Sequence, residues 1–110
     1  MTKRILYKNM ESTPVLEEFA NKHLEKVEKI LENERTPIYI DLTLESMPMH
    51  AHHRVEMIVK TPQYDLVAHH EGPEMYQEID HVVDTMIREL RKAKARLIDE
   101  AKTKDTYKSA

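Results

Sequence analysis

Apolar positions along this chain switch between two periods, and turn residues divide the stretches into elements. From Pro14 to about Asn33 they recur every three or four residues. Leu16, Phe19, Ala20, Leu24, Val27, Ile30 and Leu31 form one stripe, with His23 inside it, the spacing of an amphipathic helix. Thr13 can cap that helix, and Pro14 sits in its first turn, where a missing N–H costs nothing. After Arg35-Thr36-Pro37 the period drops to two: Ile38, Ile40, Leu42 and Leu44 alternate with Tyr39, Asp41, Thr43 and Glu45. That is a half-buried strand. Residues 3–8 predict a short strand before the first helix. Residues 53–60 and 64–70 predict two more, joined by a tight turn at Thr61-Pro62-Gln63 with 54 opposite 70. Gly72-Pro73 ends the fourth strand and opens a last helix to about Ala101. On that helix Tyr76, Ile79, Val83, Met86, Ile87, Ala93 and Leu97 fall within about 60° of Leu90.

The predicted order is β-α-β-β-β-α, an α+β domain over residues 1–101, with residues 102–110 as a flexible C-terminal tail lacking an apolar period. Each helix has one apolar stripe, so both should cover one face of a four-stranded sheet. The first β-α-β step requires a parallel crossover, and the later strands should meander antiparallel. The other face, bearing Tyr39, Asp41, Thr43, Arg54 and Glu56, should stand open.

Charge adds a second pattern. The first half of the last helix carries Glu74, Glu78, Asp80 and Asp84 without a Lys or Arg. Its second half gathers Arg88, Arg91, Lys92, Lys94 and Arg96 against the single acid Glu89. Arg88, Lys92 and Arg96 form a solvent-facing row at i, i+4 and i+8, with Arg91 on its flank. Acid early and base late also suits the helix dipole, so the last helix alone decides nothing. The first helix supplies another basic row: Lys22, Lys26 and Lys29 cluster on one flank, and Glu18, Glu25 and Glu32 lie on the other.

The bulk figures limit the choices. The chain has 110 residues, 40% hydrophobic and 34% charged, with no Cys, no Trp and a formal net charge of −3. One modest two-layer core fits that length. Without cysteine there is no disulfide, thiol nucleophile or thiolate metal site. The N-terminal apolar run is too short for a signal peptide, and no segment approaches the ~18–20 apolar residues of a membrane span. A cytoplasmic location is expected. The net acidity argues against generic nucleic-acid binding, yet a phosphate backbone responds to a local basic face, not to the sum.

Several segments then resemble one family. They are Lys8-Asn9 with Ser12-Thr13-Pro14, Leu24-Glu25-Lys26-Val27-Glu28-Lys29, His53-Arg54-Val55-Glu56-Met57, Glu74-Met75-Tyr76 with Ile79-Asp80, and Ile87-Arg88-Glu89-Leu90-Arg91-Lys92-Ala93-Lys94. This ordered set, spanning about residues 3–97, resembles the bacterial ribosome hibernation-promoting factor and ribosome-associated inhibitor family, once described as sigma-54 modulation proteins. The resemblance implies a β-α-β-β-β-α fold like a double-stranded-RNA-binding domain, and no catalysis. It also implies binding to the small ribosomal subunit in the mRNA and tRNA channel, holding ribosomes inactive under stress or in stationary phase. Lys26, Lys29, Arg88, Lys92 and Lys94 match its rRNA-binding positions, and Lys22, Arg91 and Arg96 extend those rows. Thr85 departs from the pattern, standing where a Lys is common.

Other chemistry finds less support. Seven histidines, with His50, His52 and His53 before one hairpin strand and His69-His70 after the other, so that the two groups converge at one sheet end, invite a metal reading. Their spacing fits no standard zinc motif, and neighbouring strand residues point to opposite faces. His23 reads as a packed residue. No Gly-x-Ser-x-Gly or glycine-rich phosphate loop exists, so no enzyme, cofactor or small-molecule substrate is expected. With few aromatics available for stacking, RNA would be recognised by shape and backbone. The alternatives are a protein-interaction module using its open sheet face or an edge strand, and a His-rich metal-binding module. A protein monomeric off the ribosome is expected.

Overall fold

The computed structural model describes the backbone of residues 1–47, 49 and 51–108, and the side chains of these up to residue 99. The elements are β1 (Thr2–Lys8), α1 (Pro14–Leu31), β2 (Tyr39–Met47), β3 (His52–Lys60), β4 (Asp65–Gly72) and α2 (Met75–Lys108). The sheet order is β1-β2-β3-β4. β1 lies parallel to β2, and β3 is antiparallel to both β2 and β4. The order, the parallel crossover and the α+β architecture are those predicted.

Local chemistry explains the element ends. Thr13 Oγ1 accepts a hydrogen bond from Leu16 N at 3.2 Å, the N-cap bond that satisfies a free donor of the first turn. In the β3–β4 turn Thr61 Oγ1 accepts from the backbone N–H of Gln63 and Tyr64. Thr61 N donates to Tyr64 O at 2.9 Å. These bonds make a four-residue turn between the pair Lys60 and Asp65, so the expected register was one residue short. Arg54 faces Glu71, and His70 faces Val55. The consequence is large, because a one-residue slip moves every side chain of a strand to the other face.

With that register, Ile40, Leu42, Leu44, Val55, Met57, Val59 and Ala68 line the covered face. They meet Leu16, Ala20, Leu24, Val27 and Leu31 of α1, and Ile79, Val82, Val83, Met86 and Leu90 of α2. Each fully buried Leu, Val or Met side chain contributes roughly 1.5–3 kcal/mol of hydrophobic stabilisation. The outer face carries Tyr39, Asp41, Thr43, Arg54 and Glu56, as expected, and Arg4 of β1 beside Asp41. Its charges are paired: Arg4 Nε lies 3.0 Å from Asp41, and Arg54 contacts both Glu56 at 3.1 Å and Glu71 at 3.3 Å. The Arg4 hydrogen bond holds the Asp41 carboxyl below the usual range.

α2 does not end near Ala101. Its backbone runs on as helix to Lys108, because no Gly or Pro follows Pro73 and nothing else interrupts the ladder. The expected flexible segment 102–110 is therefore helical backbone as far as Lys108. The side chains of Lys102, Lys104, Asp105 and Lys108, and residues Ser109 and Ala110, lie outside the described residues.

The one glycine has a steric role. Gly72 faces His53 across the sheet beneath the first turn of α2. A Cβ there would stand 2.6 Å from Cδ of Glu78. Glu78 is only 3% exposed, and its Oε2 accepts from Glu74 N at 2.9 Å, tying down a donor at the helix start. Gly72→Ala should destabilise the domain by about 1–3 kcal/mol in urea unfolding, by expelling that carboxylate. Adding Glu78→Ala should recover part of the loss, since it empties the same space.

Candidate nucleic-acid interface

The two helices run in the same direction across the sheet, as three contacts along their seam establish. Near the start the rings of Phe19 and Tyr76 meet edge to face, 4.8 Å between centroids. One turn on, His23 Nε2 lies 3.2 Å from Asp80 Oδ1. At the end of α1, Lys94 Nζ donates to Ile30 O at 2.6 Å and lies 3.2 Å from Glu34. Two basic rows on parallel helices thus share one layer.

The seam fixes where each predicted base stands. Phe19, His23 and Ile30 define the line on α1 that faces α2; Tyr76, Asp80 and Lys94 define its counterpart. Stepping about 100° per residue, Lys26 and Arg91 lie about 40° outside these lines, one on each lip of the groove. Lys22, Lys29 and Arg88 lie about 80–100° away, on the outward crowns. All five are exposed. Lys92 and Arg96 are exposed too but turn to the far flank of α2, so the row from Arg88 to Arg96 winds away from α1 instead of lying beside it. Arg88 Nη2 reaches Thr85 Oγ1 at 3.5 Å, and Lys92 lies 3.7 Å from Glu89. Both contacts are long and solvent-exposed, and cost an incoming phosphate little to break.

Lys94 is the exception among the predicted bases. Its ammonium caps α1, completing a free carbonyl of the last turn and pairing with Glu34, whose side chain is only 15% exposed. Glu34 in turn lies near Tyr64, whose hydroxyl is buried without a well-formed hydrogen bond. Burial, then the Glu34 charge, pushes the Tyr64 phenol up to about 12. Lys94 therefore holds the two helices and the β3–β4 hairpin together. Sequence spacing could not show this, because Glu34 and Lys94 are brought together only by folding.

The acids are sorted as well. Glu18, Glu25 and Glu32 are exposed on the flank of α1 away from α2. Beside them Glu28 pairs with Lys3 of β1 at 2.8 Å. The basic row of α1 is thus bordered by an acidic margin, and on α2 exposed Asp84 stands beside Arg88 and Arg91.

The histidines divide by strand face. His52 Nε2 lies 3.3 Å from Glu71 on the outer face. On the covered face His70 Nδ1 lies 3.2 Å from buried Glu78, and its ring stacks on His81 at 4.6 Å. His53 Nδ1 is buried without a hydrogen bond. Among the described residues no three His, Cys, Asp or Glu side chains converge as metal ligands; His50 lies outside those residues.

Residues 4–98 match the family described as sigma 54 modulation protein / S30EA ribosomal protein. The chain belongs to this family. Its fold recurs in the N-terminal domain of Protein Y from Thermus thermophilus, 19% identical, at a TM-score of 0.68 over 84% of this chain and 98% of that one. It recurs also in a ribosomal subunit interface protein from Coxiella burnetii, 21% identical, at a TM-score of 0.70 over 86% and 99% of the two chains. No curated protein matches the sequence. Among the described residues no helix is long and apolar enough to cross a membrane.

Two outcomes are expected from the clasp at the end of α1. Lys94→Met should lower stability by about 1 kcal/mol in thermal or urea unfolding, by removing a hydrogen bond and a half-buried ion pair. Tyr64 gives a pH signature. Its phenol titrates near 10 unfolded and about 12 folded, so the unfolded chain loses its proton first. The stability this confers is fully present below pH ~10 and is lost as pH rises towards ~12. Tyr64→Phe should flatten that alkaline decline in urea unfolding.

Proposed function

We propose that this protein is a ribosome-associated translational inhibitor. It binds small-subunit rRNA in the channel used by mRNA and tRNA, and holds ribosomes inactive in the cytoplasm under stress or in stationary phase. The observation that carries the reading is the pair of basic rows on the helix layer. Lys26 and Arg91 stand on the lips of one groove, with Lys22, Lys29 and Arg88 on the crowns beside it, on a molecule of net charge −3. Such a surface draws in phosphate through charge, while the acidic margin at Glu18, Glu25 and Glu32 repels RNA from other poses. Lys92 and Arg96 extend contact around α2, and Lys94 acts by holding α2 in place. The two relatives of known structure support the reading, since one of them is itself described as a ribosomal subunit interface protein.

The inhibition is by occupancy, not chemistry: among the described residues the charged groove offers positioned cations but no nucleophile paired with a base. In this reading residues 1–101 form the ribosome-binding domain, residues 102–110 are accessory, and the protein is monomeric off the ribosome. A second reading, contact with another protein through the open sheet face, draws on Leu6, Tyr39 and Val67, which are exposed there. Solution mass measurement over a concentration series separates self-association from the monomer.

The purified protein should co-sediment with vacant ribosomes at low salt and inhibit translation in vitro without degrading RNA. Replacing Lys26 with Gln and Arg91 with Gln together should reduce the salt dependence of binding by roughly 0.7–0.9 log-log slope unit for each phosphate no longer neutralised. Lys94→Met should leave that slope unchanged. Absence of co-sedimentation, with translation unaffected at excess protein, would overturn the reading.

A further inference from the structure

A carboxylate stands among the bases of α2, where phosphate binding alone has no use for it. Asp84, Ile87, Arg88 and Arg91 line a shallow cleft of about 290 Å³. Their spacing, i, i+3, i+4 and i+7, puts all four on one face of the helix. Ile87 is half-buried against the core and forms an apolar floor, and the other three are exposed around it. The volume sits at the lower end of the ~300–1,000 Å³ typical of ligand sites. It suits one small, flat group.

The charges around that floor do not cancel one another. Arg88 follows Asp84 by four residues, the spacing of a helical ion pair, yet its Nη2 turns to Thr85 Oγ1 at 3.5 Å. Among the described residues no hydrogen bond or ion pair joins Asp84 to either arginine. The cleft therefore holds one acceptor and two forked donors apart over an apolar surface. A bare phosphate would be drawn by Arg88 and Arg91 but repelled by Asp84. A ligand that satisfies all four residues has an anionic group, a flat ring and N–H donors along the edge of that ring. An unpaired nucleotide has all three. Guanidinium groups take its phosphate in forked pairs or stack on its base.

The carboxylate also chooses among bases. It is an acceptor at both oxygens. Guanine presents two adjacent donors on its Watson–Crick edge, N1–H and N2–H, one for each oxygen. Adenine and cytosine each offer one amino group beside a ring-nitrogen lone pair, and uracil sets one N–H between two carbonyls. Each of these three turns a lone pair towards one carboxylate oxygen. We infer that the cleft binds an unpaired guanine of RNA, with Asp84 as the specificity-determining residue, Ile87 beneath the ring, and Arg88 and Arg91 on the adjoining phosphate. This adds a base-reading contact to a surface whose other contacts only position the backbone. The inference rests on the proposed rRNA binding for its biological setting, but the cleft is tested without the ribosome.

The first measurement is fluorescence anisotropy with single-stranded RNA heptamers carrying G, A, C or U at the centre of a uridine run. Wild type should favour the G heptamer roughly three- to tenfold, the lower part of the range for one bidentate base contact. Asp84→Asn should abolish that preference, because an amide replaces one acceptor with donors. Arg88→Gln with Arg91→Gln should weaken all four heptamers alike. Equal affinities in wild type would mean a phosphate site only and overturn the proposal, as would a G preference that survives in Asp84→Asn. The second measurement is co-sedimentation of wild type and Asp84→Asn with vacant ribosomes over a salt series. If Asp84 merely repels RNA, its neutralisation should tighten binding. A base contact predicts the opposite sign: weaker binding at every salt concentration, with the log-log slope unchanged. Binding equal to wild type, or tighter, overturns the proposal. Equal heptamer affinities alongside co-sedimentation of wild type would reject the guanine cleft and leave the functional reading standing. A G preference without any co-sedimentation would keep the cleft and reject ribosome binding.

Discussion

The parallel pairing of β1 with β2 constrains everything that follows it. Parallel neighbours cannot be joined by a tight turn, so the chain must cross over one face of the sheet, and α1 is that crossover. Its buried stripe from Leu16 to Leu31 then has one place to go. The rest of the chain returns antiparallel, and α2 settles over β3 and β4 on the same face. Two helices on one face of a four-stranded sheet must touch along their length. Because β1 and β2 are parallel while β3 and β4 reverse in turn, the two helices also point the same way. The basic groove is a consequence of that shared layer, and the opposite face remains open.

The seam shows how the groove between the helices is held by side chains that stand apart from its exposed bases. Burial of Val27, Val83 and their neighbours in the shared core supplies the bulk of the adhesion, but it is non-directional and does not fix the helices' rotation. Direction comes from hydrogen bonds: Lys94 to the last turn of α1, and His23 to Asp80. Both are half-shielded from solvent, where a charge-assisted bond is stronger than at an open surface. The other bases of the two rows are exposed, with only the long contacts of Arg88 to Thr85 and Lys92 to Glu89 described for them. One lysine is thus structural among neighbours of identical chemistry, and only its surroundings distinguish it.

The start of α2 is governed by a different constraint. Glu78 is buried against the strand end, and it is tolerated there because the helix terminus offers an N–H and His70 stands at 3.2 Å. This arrangement demands a residue without a side chain at position 72. The only glycine of the chain is therefore placed by close approach and not by a turn. From the sequence, Gly72-Pro73 reads simply as a strand end followed by a helix start.

Much of the fold was legible because period reports geometry directly. Alternation from Ile38 to Glu45 and the three-four spacing of both helices follow from backbone repeats that no tertiary contact alters. Order, sheet class and the presence of two basic rows came with them. The groove's membership did not. Lys94 and Lys92 are two residues apart and equally charged, yet one caps α1 and the other faces away. His23 was rightly placed in the packed stripe, but Asp80, 57 positions on, gave no local sign of being its partner. The hairpin register was displaced by one because Thr61 closes a four-residue turn through its hydroxyl. The end of α2 was misplaced because loss of apolar period does not stop a helix whose backbone bonds remain unopposed. The sequence by itself determined the elements, their order and the supply of charge, all set by short-range repeats. Which charges meet, which are consumed as clasps and which remain free was decided by tertiary structure, because those pairings depend on distances between elements that no stretch of chain encodes alone.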